Sequence, residues 1–149
     1  MSARCVVGLD VAKAAIDVAL RPARRPPWRV PYDEAGLASL VESLVALSPA
    51  LVVLEATGGY EARVASALAL AGLPVAIVNP RQVRDFAKAV GVLAKTDRLD
   101  AGVLAHFGDA VRPTPRALPD DAQADLAALV ARRRQLVEML TAERNRRHR

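Results

Sequence analysis

The chain has 149 residues, 52% of them hydrophobic and 3% aromatic, with one cysteine and a formal net charge of +5. That length and apolar content suit about one domain with a core of Ala, Val and Leu, and a folded chain rather than a disordered one. The lone Cys5 excludes an internal disulfide and a cysteine-built zinc site, and no apolar run reaches the roughly 18 residues of a membrane span, so a soluble cytoplasmic protein is expected.

"RCVVGLDVA" (4–12) reads as a buried strand closing on an aspartate, and Cys5 within it as a buried, inert thiol. "AIDVAL" (15–20) alternates Ile16, Val18 and Leu20 with Asp17 and Ala19, which predicts a second strand in a hairpin with the first. After the loop "RPARRPP" (21–27), "WRVPY" (28–32) suits a short third edge strand. Asp33 is placed to N-cap a helix through about Leu47, with Leu37, Leu40, Val41, Leu44 and Val45 on one face.

"LVVLE" (51–55) is apolar to its last residue, as expected of a parallel strand buried on both faces. A helix over "GGYEARVASALALAG" stops at Gly72, and "LPVAIVNP" (73–80) is another buried strand. A helix over "RQVRDFAKAVG" follows, then one over about 97–108. The Pro-rich stretch 112–119 reads as a linker between a domain of 1–111 and a long helix over 120–149. Leu126, Leu129, Val130, Leu136, Val137 and Leu140 make an apolar stripe on that helix, spaced as in a coiled coil although Arg133 interrupts it. It therefore reads as the first part of a coiled-coil dimerisation segment, and the chain as a possible fragment. A hairpin group followed by strand–helix crossovers is how an RNase H-like mixed sheet begins, so an α/β fold of that class is expected.

Charge is unevenly placed. Residues 1–80 hold seven basic and seven acidic side chains, 81–116 seven against four, and 117–149 seven against five. An excess confined to the second half is what a polyanionic partner would select, though basic surfaces are common.

Among the acids, Asp10 and Glu55 each close a buried strand, while Asp97 and Asp100 open a helix three residues apart. The carboxyl ends of strands are where open α/β sheets bind ligands. Carboxylates gathered there repel one another unless a cation intervenes, and hard Mg²⁺ or Mn²⁺ suits oxygen donors. Each acid also has a plainer role. Asp10 fits a hairpin turn, Glu55 fits the point where a strand leaves the core, and Asp97 with Asp100 fits a helix cap. Together the four favour a shared site.

Three blocks carry more than spacing: "VVGLDVAK", "VVLEATGGYE" and "VAIVNPRQVRDFAKAVGVLAKTDRLDAGVLAHF". In this order they resemble the amino-terminal part of the IS110-family transposases over about residues 5–108, and the long helix after them fits as well. The resemblance implies a RuvC-like domain whose DEDD acids bind divalent metal, and matched residue by residue these fall on Asp10, Glu55, Asp97 and Asp100. It also implies a longer complete protein, continuing through a coiled coil into a second domain whose serine acts on DNA. A structured guide RNA is a further implied partner. No serine here lies in a matching motif, so this chain alone is expected to be inactive or incomplete.

Around the acids, Thr57, Gly58 and Gly59 precede a helix and suit either a phosphate at its backbone N–H groups or a plain turn. Arg81, Arg84 and Lys88 share a helix face with Gln82 nearby, as a backbone-contact strip or a solvated surface would. Lys95 lies beside the acidic pair, where it suits a carboxylate or a phosphate. Tyr60 and Trp28 suit base stacking, with packing the safer account, and His106 reads as packed or exposed rather than as a ligand. Arginines 132–134 suit nucleic acid or the outside of a coiled coil.

A DNA transposase or recombinase domain using Mg²⁺ or Mn²⁺, and self-associating through its last helix, is thus the leading expectation. The alternative is a RuvC-like Holliday-junction resolvase or another metal-dependent nuclease of the same fold. A sugar-kinase-like nucleotide binder is disfavoured, because Val11, Ala12 and Lys13 follow Asp10 where glycine and a hydroxyl residue would be needed. A non-catalytic interaction module would show itself by failing to bind metal.

Overall fold

The computed structural model describes residues 4–92, 99–116 and 121–147, with side chains of the last stretch described from 128 on. The chain divides into two compact units, Met1–Arg116 and Ala117–Arg149.

The first unit is built on a sheet of β1 (Val6–Val11), β2 (Ala15–Arg21), β3 (Trp28–Pro31), β4 (Leu51–Glu55) and β5 (Val75–Val78). Helices α1 (Glu34–Leu47), α2 (Tyr60–Leu70), α3 (Pro80–Ala89) and α4 (Ala101–Val111) complete it. The five strands lie in the order β3-β2-β1-β4-β5. The β1–β2 and β2–β3 pairs are antiparallel, and β1–β4 and β4–β5 are parallel. This is the mixed α/β sheet expected of the RNase H-like class.

The first hairpin is closed by the backbone, Ala12 N–H donating to the Ala15 carbonyl at 2.9 Å. Asp10 lies within β1, one residue before its end. The helix starts follow local chemistry. Asp33 caps α1 by accepting from Gly36 N–H at 2.7 Å, and Asn79 caps α3 by accepting from Arg81 N–H at 2.9 Å, with Pro80 in the first turn.

Alternation assigns the side chains of each strand to one face or the other. One face carries Val7, Leu9, Ile16, Val18, Val52 and Leu54 against Leu40 and Leu44 of α1 and Val64 and Leu68 of α2. The other carries Val6, Val53, Ala76 and Val78 against Val83 and Ala87 of α3 and Leu104 and Phe107 of α4. Three layers result, with α1 and α2 on one side of the sheet and α3 and α4 on the other. Val45 of α1, expected on the apolar face, is instead 46% exposed. It lies one residue past Leu44, about 100° further round the helix, and so turns off the buried stripe.

α4 differs from its expected bounds in a way that matters. The expectation of a helix over about 97–108 is corrected, because residues 99 and 100 are not helical and α4 begins at Ala101. Asp100 is the N-cap, with its Oδ1 accepting from Val103 N–H at 2.8 Å. The residues on either side of it are buried, Leu99 at 5% exposed and Ala101 at 4%. Asp97 and Lys95 lie outside the described residues.

In the second unit, α5 (Asp121–Arg147) is one continuous helix. Leu129, Val130, Leu136, Val137, Met139 and Leu140 are all exposed along it. No helix among the described residues is long and apolar enough to cross a membrane.

Candidate functional site

The site is a consequence of small residues. α4 lies close against β1 because Gly8 has no side chain beneath the helix start, and against β4 because Gly108 of the helix leaves room for Val53. A Cβ at Gly8 would fall on the Ala101 carbonyl oxygen and the Ala105 nitrogen, and one at Gly108 would sit 2.6 Å from Val53 Cγ2 and 2.8 Å from Val6 Cγ1. The start of α4 therefore lies over Gly8 and its end over Val6 and Val53. α4 thus runs antiparallel to β1 and points its N-terminus toward the carboxyl ends of β1 and β4.

Asp10 is two residues past Gly8 and so projects from the α4 face, and Glu55, two past Val53, does the same. The register pairs Gly8 with Val53 and Leu9 with Leu54. Asp10 and Glu55 follow directly, so they emerge side by side on neighbouring strands about 4.8 Å apart. Both are half-buried, and both have polar or electrostatic partners of their own.

The row continues across the sheet. Asp10 faces Asp17 on β2, and Asp17 faces Arg29 on β3. Two like charges directly opposite on antiparallel strands are unfavourable. Arg29 offsets this, donating from Nε to Asp17 Oδ1 at 2.7 Å and from Nη2 to Oδ2 at 3.1 Å. The Asp17 hydrogen bond and then its charge raise the Arg29 pKa, with desolvation opposing and the charge of Asp10 adding to it. Reading the sequence alone left Asp17 and Arg29 out of the site. The signal was present in the hairpin register, which sets Asp10 against Asp17 once the turn at 12–15 is fixed.

Asp100 reaches the same end of the sheet as the cap of α4. Its carboxylate serves the helix start, and among the described residues no three His, Cys, Asp or Glu side chains are grouped closely enough to hold a metal ion. The donors fit a hard divalent cation in kind, since Asp10, Glu55 and Asp100 offer only carboxylate oxygen.

The loop after β4 is occupied by its own chain. Gly59 N–H donates to Glu61 Oε2 at 2.9 Å, and Thr57 Oγ1 lies 3.3 Å from the same oxygen and 3.5 Å from the Val11 carbonyl. Burial pushes the Glu61 pKa up, but hydrogen bonds from the 57–61 backbone and the Thr57 hydroxyl outweigh it, and the net shift is downward. The helix start where a phosphate was considered thus already holds a carboxylate. Gly58 and Gly59, at φ 81° and 114°, make the turn that allows this.

On α3, Arg81 and Lys88 are exposed and Arg84 half-buried, opposite the buried Val83 and Ala87. His106 is packed edge-on against Phe86 at 5.2 Å between ring centroids. Tyr60 meets Tyr32 in the same manner at 5.7 Å, and Tyr32 Oη donates to the Tyr60 carbonyl at 2.8 Å. Trp28 has the Arg25 guanidinium over its ring at 3.7 Å. Cys5 is 5% exposed, and burial pushes its thiol pKa up, which leaves it unreactive.

Fold and site define an α/β protein of the RNase H-like class with carboxylates at the carboxyl edge of its parallel strands. The family model described as "Transposase" for the IS110-type DEDD proteins matches residues 7–149. The chain belongs to the IS110 family of DEDD transposases. It is 34% identical over 95 residues to the pilin gene-inverting proteins of Moraxella lacunata and Moraxella bovis. Those alignments cover 64% of this chain and 30% of each relative, so the matched part spans under a third of their length.

Proposed function

We propose that this chain is the amino-terminal catalytic part of a DNA transposase or site-specific recombinase, in which Asp10, Glu55, Asp97 and Asp100 hold Mg²⁺ or Mn²⁺. The observation that carries it is the Gly8–Val53 register, which aligns Asp10 with Glu55 toward the start of α4. The names of the relatives support the same reading, because gene inversion is a DNA rearrangement. A bound divalent ion would polarise a phosphodiester oxygen and lower the pKa of an attacking hydroxyl. The chain's own part is to fix the carboxylates. β1 and β4 hold two of them at a set spacing, and α4 sets the third through its capped first turn.

In the whole protein we propose that a serine-bearing domain completes the reaction, that a structured guide RNA selects the DNA, and that the protein works in the cytoplasm. The exposed stripe of α5 is assigned to pairing with a second copy through a coiled coil. Arg81, Arg84, Lys88, Lys95 and the Thr57–Gly58 loop are proposed as nucleic-acid contacts, with the α3 cations ahead of the loop because Glu61 occupies the latter.

Mn²⁺ binding to the full chain, followed by electron paramagnetic resonance, tests the reading. Asp10→Asn and Glu55→Gln are each expected to weaken binding at least tenfold while the melting temperature without metal is unchanged. Asp97→Asn should do the same. Equal Mn²⁺ affinity in all three variants would overturn the shared site.

A further inference from the structure

A strand of nucleic acid approaching Asp10 and Glu55 meets a concentration of negative charge, so cations must stand at the flank of the site. Arg29 is in the same transverse row as these acids, two strands from Asp10, or about 10 Å at the usual strand spacing. Its side-on pairing with Asp17 uses Nε and one Nη2 hydrogen, two of the five N–H groups of a guanidinium. The other edge of the fork is thereby held in a defined plane, and the side chain is 70% exposed.

Beside it, a groove of about 360 Å³ runs between Trp28 and Arg29 on one wall and Asp100, Ala101 and Gly102 on the other. It joins the cationic edge of the sheet to the cap of α4. The groove thus has the Asp100 carboxylate at one side and a fixed guanidinium at the other.

We propose that Arg29 binds a backbone phosphate of the DNA strand entering the carboxylate edge, with Asp17 as the residue that positions it and the groove between Arg29 and the start of α4 as the seat of the flanking nucleotide. This rests on the reading of the edge as a DNA-processing site, and it adds where the strand lies. The acid on β2 is then not a metal ligand. It gives up its two oxygens to Arg29 and converts a mobile surface cation into an oriented one.

Binding of the full chain to a fluorescein-labelled duplex, measured by anisotropy in EDTA over a range of salt, tests this apart from metal. Arg29→Ala is expected to weaken binding about tenfold and to lower the slope of log affinity against log salt by about one. Arg21→Ala is the matched control: it also removes an exposed arginine paired to an aspartate, Asp109 at 3.3 Å, but at the far end of β2. It should change affinity less than twofold. Asp17→Asn discriminates further, because it removes a negative charge and on net charge alone would tighten binding. A positioning role predicts weakening of about threefold, with rescue of neither variant by metal. No binding by the unaltered chain, equal losses for Arg29→Ala and Arg21→Ala, or tighter binding by Asp17→Asn would each overturn the proposal. A loss confined to a labelled RNA of the same length would overturn the assignment to DNA. Intact Mn²⁺ binding with any of these outcomes leaves the metal site standing and removes only the strand path.

Discussion

The two faces of the sheet are packed by opposite means. Toward α1 and α2 the strands present Val, Leu and Ile side chains that are nearly all fully buried. Toward α4 they present Gly8, over which the backbone of Ala101 and Ala105 lies directly, while Gly108 of α4 rests on the side chains of Val6 and Val53. The first face is filled by volume and the second by proximity. The charged row of Arg29, Asp17, Asp10 and Glu55 belongs to the second. A face closed by bulky side chains has little room to place carboxylates beside a helix start. A face closed by glycine brings the helix N-terminus close enough to share an edge with them.

The contrast can be broken most severely on the bulky face. Leu54→Ala removes a side chain that is 0% exposed, and is expected to lower unfolding free energy by about 2–5 kcal/mol through the cavity it leaves. Chemical denaturation would measure that, and Mn²⁺ affinity of the folded fraction should stay within about twofold. Gly8→Ala acts on the other face and should cost about 1–3 kcal/mol, since the methyl group must displace α4 rather than leave a void. Here Mn²⁺ affinity should fall as well, because the shift moves Asp100 away from Asp10. If Gly8→Ala and Leu54→Ala affect metal binding alike, the faces do not divide the labour as argued.

The smallest effect sharpens the comparison at the start of α2. Glu61→Gln should cost about 0.5–1 kcal/mol by weakening a helix-start carboxylate. Because the Glu61 pKa is lowered in the folded state, its contribution is fully present above the ordinary glutamate value of 4.5 and is lost as pH falls through the lower folded value. Wild type and variant should therefore differ in melting temperature at neutral pH and converge in acid.

Much of this was legible in the residues. The apolar run of β4 and the alternation in β2 set their limits to within a residue, since both patterns come from a period the backbone enforces. The cap at Asp33 was equally clear, because no competing acid lies at the preceding turn. The start of α4 was not, since Asp97 and Asp100 both suit capping chemistry in sequence and nothing in the residues alone marks Asp100 as the cap. Asp17 escaped notice for a related reason. In a strand that alternates, an aspartate reads as the solvent side, and its neighbours in space become visible only with the register. For Asp10 and Glu55 the ends of two apolar runs sufficed to suggest neighbours, whereas Asp97 and Lys95 lie outside the described residues.

A last consequence concerns the open sides of the sheet. Past α4 the chain returns to β5, where Arg116 N–H donates to the Val75 carbonyl at 3.0 Å. A carbonyl at the border of the sheet is thereby taken by the protein's own backbone. At the opposite border β3 has only four residues, ends at Pro31 and is preceded by Pro26 and Pro27. Proline offers no N–H, and so short a strand makes a poor template for an incoming one. Both borders of the sheet thereby discourage strand addition from another chain, the route that leads to aggregates.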